Sequence, residues 1–289
     1  MIMKQLMNIC CVNFWAVHGE KEVNKKRILE FIEVAWKRGA DLVLFPEMAL
    51  TGYEYREDGK HMQMELAETV YGSSVSEISE LTRKLGIYAI FGMPEIDGTG
   101  NYYQTMAVCG PNGFIGAARK LFLEGKEVLW AKNGNSVFEF ETEWGKVVVG
   151  ANSKMENVDL IVSGMSGDAR LYLLPSATPA KEQLLHEKLE IVKAMIQKGK
   201  VFVAFANLAG KEMIDIHRGG SANVLGDLFA KKYGGGSFVA GPSMHSEYEV
   251  FGGSPKENEV GMIMASVDLS HAKIPYDPEL IAEMRCSYV

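Results

Sequence analysis

Cysteine is scarce in this chain: four residues in 289, at positions 10, 11, 109 and 286, with no CxxC pair. No Cys/His spacing suits a zinc ion, and so few thiols cannot make a disulfide framework. Free thiols fit a reducing compartment, so the expected location is the cytoplasm. Positive charge is short as well: 30 Lys and Arg stand against 37 Asp and Glu, a net charge of -7. The basic residues are scattered, which argues against a nucleic-acid groove. No apolar run is long enough to span a bilayer. The N-terminal segment is interrupted by Lys4, Gln5, Asn8 and Asn13, so it reads as a strand and not a leader peptide. Linkers, repeats and low-complexity tracts are also missing. The expectation is one domain over residues 1–289, with a C-terminal tail from about 270 to 289.

What is present is an ordinary globular composition, 47% hydrophobic and 23% charged. Strand and helix patterns alternate. An apolar run at Met7–Val17 precedes an amphipathic stretch at Lys21–Arg38, which places Ile28, Phe31, Ile32 and Ala35 on one face. Leu42–Phe45 completes a βαβ opening, which calls for a parallel sheet covered by helices. A helix over Ser74–Leu85 leads to strands at Tyr88–Pro94, Tyr102–Cys109 and Phe114–Ala118. Further strands are predicted at Val137–Phe140, Val147–Ala151, Leu171–Leu174, Val201–Ala206 and Val260–Val267, with a long helix at about Pro179–Lys198. Gly234 to Gly236 read as turn glycines, since no phosphate-loop context surrounds them.

Three charged residues stand at suggestive places. Glu47 follows the apolar Leu44-Phe45-Pro46, at the C-terminal end of a parallel strand, where ligands bind in open α/β folds. Lys120 ends a strand and Glu127 follows seven residues later. Taken singly, each reads more simply as a solvated edge charge. The six histidines show no triad or metal spacing; His186 falls in the long helix pattern and His217 in a loop.

Jointly, these segments resemble the nitrilase superfamily of carbon-nitrogen hydrolases. Pro46-Glu47 with Leu50-Thr51-Gly52-Tyr53 looks like its first block, and Asn112-Gly113 through Arg119-Lys120, with Glu127 and Gly134, like its second. Leu173 to Ala177, Val201 to Asn207, Gly236-Ser237 and Val267-Asp268-Leu269 follow in the family's order. The resemblance implies an α/β fold, a four-layer αββα sandwich, assembling as a homodimer or higher homo-oligomer. It implies no metal or organic cofactor, and a small amide, carbamoyl or nitrile ligand. It casts Glu47 as general base and Lys120 as oxyanion stabiliser, with Glu127, Ser153, Tyr53 and Ser176 on the substrate side.

One block departs. Where the family keeps a nucleophilic cysteine after a strand, the sequence Val147-Val148-Val149-Gly150-Ala151-Asn152-Ser153-Lys154 places Asn152. A carboxamide is a very poor nucleophile, so thioester chemistry is excluded at that position. Ser153 would need a shifted register to take its place. Cys10, Cys11 and Cys109 read as core residues, and nothing places Cys286 near Glu47. Phe122 in place of a histidine, and Lys198-Gly199 in place of Glu-Asn, extend the departure and suggest a rebuilt pocket. Two readings follow: a hydrolase-type enzyme working without cysteine, or a catalytically inactive pseudoenzyme kept for ligand binding or oligomerisation.

Overall fold

The computed structural model of the chain describes residues 4–53, 61–150, 157–212, 231–243, 246–253 and 259–272. Strand β1 (Leu6–Asn13) is apolar on both faces because both are covered. Helix α1 (Lys21–Lys37) buries Asn24, Ile28, Ile32 and Ala35 at spacings of three and four. Phe31, predicted on the same face, is only half-buried; its ring packs edge-on against Phe14 and Phe45. Strand β2 (Leu42–Leu44) then pairs in parallel with β1, the expected βαβ opening.

Helices α2 (Met62–Leu66) and α3 (Ser73–Leu85) precede β3 (Tyr88–Ile96), β4 (Tyr102–Gly110) and β5 (Gly113–Arg119). Glu68 holds the start of α3, accepting from the Ser74 backbone N–H and hydroxyl, both at 2.9 Å. Strands β6 (Phe138–Thr142) and β7 (Gly145–Val149) form a hairpin, and α4 (Val158–Gly164) leads to β8 (Ala169–Ser176). Helix α5 (Glu182–Gly199) begins later than predicted. The backbone at Pro179 and Ala180 is instead paired with a neighbouring strand, Ala180 N–H donating to the Lys232 carbonyl. Strands β9 (Phe202–Asn207), β10 (Ala209–Glu212), β11 (Lys231–Gly234), β12 (Phe238–Gly241), β13 (Glu249–Gly253) and β14 (Gly261–Asp268) complete the described elements.

The strands form two six-stranded sheets, ordered β14-β1-β2-β3-β4-β5 and β13-β12-β9-β8-β7-β6, and a separate β10-β11 ribbon. Their inner faces meet in one apolar core, with Met7, Ile9, Leu42 and Leu44 against Val147, Leu171, Phe202 and Ala204. Helices α1 and α3 cover the first sheet through Ile28, Ile32, Val75 and Ile78. Helices α4 and α5 cover the second through Val158, Ile161, Ile191 and Met195. The result is the αββα layering implied by the resemblance. Each large side chain removed from water contributes about 1.5–3 kcal/mol toward it. Among the described residues no helix is long and apolar enough to cross a membrane.

The two sheets touch at the C-terminal ends of their central strands. Phe14, just past β1, bridges to Leu208, just past β9, and the Asn13 side chain accepts from the Ser237 N–H at 3.0 Å. Asn207 is fully buried and ties this edge together, its carboxamide bonding Thr178 and Gly235. Loops from both sheets therefore converge on one place.

Candidate active site

Glu47 stands three residues beyond β2, where the chain crosses closely over β3. A Cβ at Gly92 would lie 2.2 Å from the Met48 nitrogen, so only glycine lets the two backbones approach. Met48 adopts φ 51, in the left-handed region that non-glycine residues rarely occupy. A tight turn follows, with the Met48 carbonyl accepting from Gly52 N–H at 2.7 Å and Leu50 N–H bonding to the Gly92 carbonyl at 3.0 Å. That turn returns Tyr53 toward Glu47, and its hydroxyl donates to Glu47 Oε2 at 2.7 Å.

Lys120 extends the β4-β5 ladder by one residue, its N–H donating to the Gln104 carbonyl at 2.8 Å. Alternation then separates neighbours. Arg119 turns to Glu95, at 3.0 Å through Nε, while Lys120 points the other way. Gly134 clamps this strand end from outside. Its N–H donates to the Lys120 carbonyl at 2.8 Å, and a Cβ there would meet the Arg119 carbonyl at 2.6 Å.

Glu127 is aimed by a short 3-10 turn, Gly125–Leu129, closed by a reciprocal cap with Glu124. One carboxylate oxygen accepts the Glu124 N–H at 2.8 Å. The other faces Lys120 Nζ at 2.9 Å and the Tyr53 hydroxyl at 3.3 Å. Lys120 Nζ also donates to Glu47 Oε2 at 3.2 Å. Two carboxylates thus share one ammonium, with Glu47, Lys120 and Glu127 only 4%, 3% and 9% exposed. Gln104 donates to the Tyr53 oxygen at 2.6 Å, and its own buried Oε1 has no partner among the described residues.

Burial opposes the charge on Lys120, but Glu47 and Glu127 outweigh it and hold the ammonium above its ordinary pKa. Burial foremost pushes the Glu127 carboxyl up; Lys120 opposes this and the Glu47 charge adds to it. Tyr53 is held well above the phenol range, first by burial and then by both carboxylates. The cluster therefore keeps a protonated lysine and a neutral phenol beside two carboxyl groups. That set can take up a proton, give one back and stabilise negative charge.

The solvent-facing readings of Glu47, Lys120 and Glu127 are thus overturned, and Tyr53 is hydrogen-bonded within the same cluster. Ser176 is buried at the end of β8, where its hydroxyl shares a hydrogen bond with Thr178 at 2.8 Å. Asn152, Ser153 and Cys286 lie outside the described residues. Cys10, Cys11 and Cys109 are buried in the core as predicted, and burial pushes the thiols of Cys10 and Cys109 up to about 12. The pocket change inferred from Lys198 is corrected: Lys198 is a surface residue at the far end of α5, paired with Asp159 at 2.5 Å. Three residues escaped the sequence reading: Gln104, Tyr233, whose ring centroid lies 6.5 Å from that of Tyr53, and Lys188 on α5.

Comparison with known proteins agrees with this geometry. Residues 7–273 match the family model described as carbon-nitrogen hydrolase. A nitrilase of Pyrococcus abyssi is 32% identical over 133 residues, covering 45% of this chain and 49% of that protein. The omega-amidase NIT2 of Xenopus tropicalis is 28% identical over 227 residues, covering 73% of this chain and 79% of that one. Among solved structures, Saccharomyces cerevisiae Nit3, of branch 10 of the nitrilase superfamily, superposes with TM-score 0.74 at 22% identity, covering 99% and 96% of the two chains. An amidase from Nesterenkonia sp. AN1, one form of which carries the acetamide moiety of fluoroacetamide on its active-site cysteine, does so at TM-score 0.74 and 18% identity over 100% of both chains. With the family model spanning nearly the whole sequence and the sandwich shared with these structures, this chain belongs to the carbon-nitrogen hydrolase family of the nitrilase superfamily.

Proposed function

We propose that the site binds a small amide, carbamoyl compound or nitrile at Glu47, Lys120 and Glu127, and hydrolyses it without a protein thiol. One observation carries the reading: Lys120 Nζ is fixed 3.2 Å from Glu47 and 2.9 Å from Glu127 in a buried cluster. A fixed cation beside a proton acceptor is what addition to a carbonyl or nitrile carbon requires. The amidase and nitrilase relatives support the same reaction class. A thiol route is not available from the core cysteines, and no cysteine occurs between positions 110 and 285. By position along the chain the nucleophile is replaced by Asn152, two residues after Gly150, whose N–H closes onto the Leu173 carbonyl at 3.1 Å.

In this scheme a water oxygen bonds to the amide carbon while Glu47 takes the water proton. The substrate oxygen gains the negative charge beside Lys120, with the Asn152 carboxamide as a second donor. Collapse breaks the carbon-nitrogen bond, and Glu47 returns its proton to the nitrogen. The products are a carboxylic acid and ammonia. Glu127, held by its own turn, keeps Lys120 in place throughout.

Ammonia release from a panel of small amides, ureas and nitriles tests the reading. Turnover by the wild type is expected, reduced about 100-fold or more in Glu47→Gln and in Lys120→Ala. A folded wild type that releases no ammonia, with turnover appearing in Asn152→Cys, would mean an inactivated scaffold kept for binding or assembly.

A further inference from the structure

Gln104 lies on the same face of β4 as Met106 and Val108, which pack in the core between the sheets. It is only 2% exposed. It serves the buried cluster twice. Its carbonyl accepts the Lys120 N–H at 2.8 Å, so its backbone seats the cation. Its side-chain Nε2 donates to the Tyr53 oxygen at 2.6 Å. A phenol carries a single proton. With the Tyr53 oxygen accepting from Gln104, that proton turns to the carboxylates, and the nearer is Glu47 Oε2, at 2.7 Å against 3.3 Å for Glu127. A chain of donors therefore runs from Gln104 through Tyr53 to Glu47, each bond strengthening the next. Among the described residues both hydrogen bonds that reach Glu47, from Tyr53 and from Lys120, fall on Oε2. The carboxylate is thus held at one oxygen from two sides, and its other oxygen is left clear.

We infer that Gln104 is a positioning residue for Glu47: by donating to Tyr53 it directs the phenol proton onto Glu47 Oε2, and so leaves Glu47 Oε1 as the oxygen that takes the water proton and returns it to the leaving nitrogen. The orientation of the amide decides this. Reversed, the Gln104 carbonyl oxygen would take the phenol proton itself. Glu47 would then keep only Lys120 on Oε2 and could turn about its Cγ–Cδ bond, losing the aim that proton transfer requires. Holding the donating orientation leaves the buried Gln104 Oε1 without a partner among the described residues. A methionine continuing the row beside Met106 would avoid that cost. The polar side chain is retained where its one donated bond sets the direction of the next.

The inference rests on the hydrolytic reading above, and its first readout is independent of turnover so that the two can fail separately. Raman difference spectra, each taken against the matching Tyr53→Phe protein, isolate the Tyr53 ring doublet, whose intensity ratio separates a phenol that only donates from one that also accepts. The wild type should show both roles, and Gln104→Met donation alone. That variant exchanges an unpartnered acceptor for apolar atoms, so it is expected to fold; thermal unfolding checks this, with Gln104→Leu as a second apolar variant. The second readout is ammonia release by the wild type, the two single variants and the double variant. Gln104→Met and Tyr53→Phe should each lower kcat by about 10- to 100-fold with KM little changed. The double variant should be no slower than Tyr53→Phe, because Gln104 acts through the phenol. A wild type that shows the doublet and its change in Gln104→Met, yet releases no ammonia, sinks the hydrolytic reading and leaves the orientation of Glu47 standing. A doublet unchanged in Gln104→Met, an unchanged kcat in that variant of an active enzyme, or losses that multiply in the double variant overturn the role of Gln104.

Discussion

Two lysines at opposite edges of the sandwich each face more than one carboxylate, and only one of the two groups is buried. Lys120, at the C-terminal edge, meets Glu47 at 3.2 Å and Glu127 at 2.9 Å, with side-chain exposures of 3%, 5% and 11%. Lys146, at the start of β7, meets Asp168 at 3.0 Å, Glu141 at 3.6 Å and Glu139 at 3.9 Å, and two of these partners are 68% and 72% exposed. The residue types and distances are similar. Water separates the two cases: it screens the Lys146 group, whereas the Lys120 group has exchanged hydration for fixed partners. Charge at the second edge is a solvated surface, and charge at the first is buried and held by fixed partners.

The largest effect should come from removing the buried cation. Lys120→Ala leaves Glu47 and Glu127 facing each other without the ammonium they share, a loss of about 3–5 kcal/mol in urea unfolding at neutral pH. The deficit should shrink as pH falls, because one of the carboxyls then takes a proton and the repulsion ends. Adding Glu127→Gln to Lys120→Ala should recover part of it at neutral pH. A loss under about 1 kcal/mol would mean that the cluster is as hydrated as the Lys146 group, and the contrast would collapse.

The two edges also differ in how far they can be read from sequence. The βαβ opening and most strands fall within a few residues of their predicted places, because apolar runs and three-to-four spacing follow directly from burial. The short elements do not: α2 and α4, of five and seven residues, are too brief to show a period. Glu47, Lys120 and Glu127 look solvated in their local context, since their partners lie 73 and 7 residues apart along the chain and only the fold unites them. Resemblance supplied that grouping. Gly92 and Gly134 look like ordinary glycines until the fold shows that a Cβ at either would come within 2.2 Å or 2.6 Å of neighbouring backbone atoms. Lys188 left a legible sign, a lysine on the same helical face as Ile191, Val192 and Met195, as did Gln104, a polar residue in a buried strand.

Lys188 offers a finer test of the buried edge. Burial foremost lowers its pKa from the ordinary lysine value of 10.5 to about 8; Glu47 opposes this, Lys120 adds to it, and Glu124 and Glu187 oppose. Below pH about 8 the folded protein carries the buried charge and its full penalty. Between about 8 and 10.5 the folded state has released the proton while the unfolded chain keeps it, so stability attributable to this group rises with pH. Lys188→Met removes the penalty at every pH. The wild type should therefore be the less stable of the two at pH 7, and the gap should close toward pH 10 by up to about 3 kcal/mol. Denaturant unfolding of both proteins across that window measures it. A gap independent of pH would show that Lys188 is hydrated in the folded state.

The smallest effect belongs to the exposed edge. The hydrogen bond that Lys146 donates to Asp168 foremost raises the Lys146 pKa, with burial opposing and Glu139 and Glu141 adding to it, but the group stays charged in folded and unfolded protein alike at neutral pH. Exposed pairs lose in side-chain entropy and salt screening most of what Coulomb attraction supplies. Lys146→Ala is therefore expected to leave Tm and ammonia release unchanged within measurement error at physiological salt, with any small difference vanishing as salt is raised. A drop in Tm comparable to that of Lys120→Ala, insensitive to salt, would show that partner count and distance outweigh burial in setting the strength of these lysine clusters.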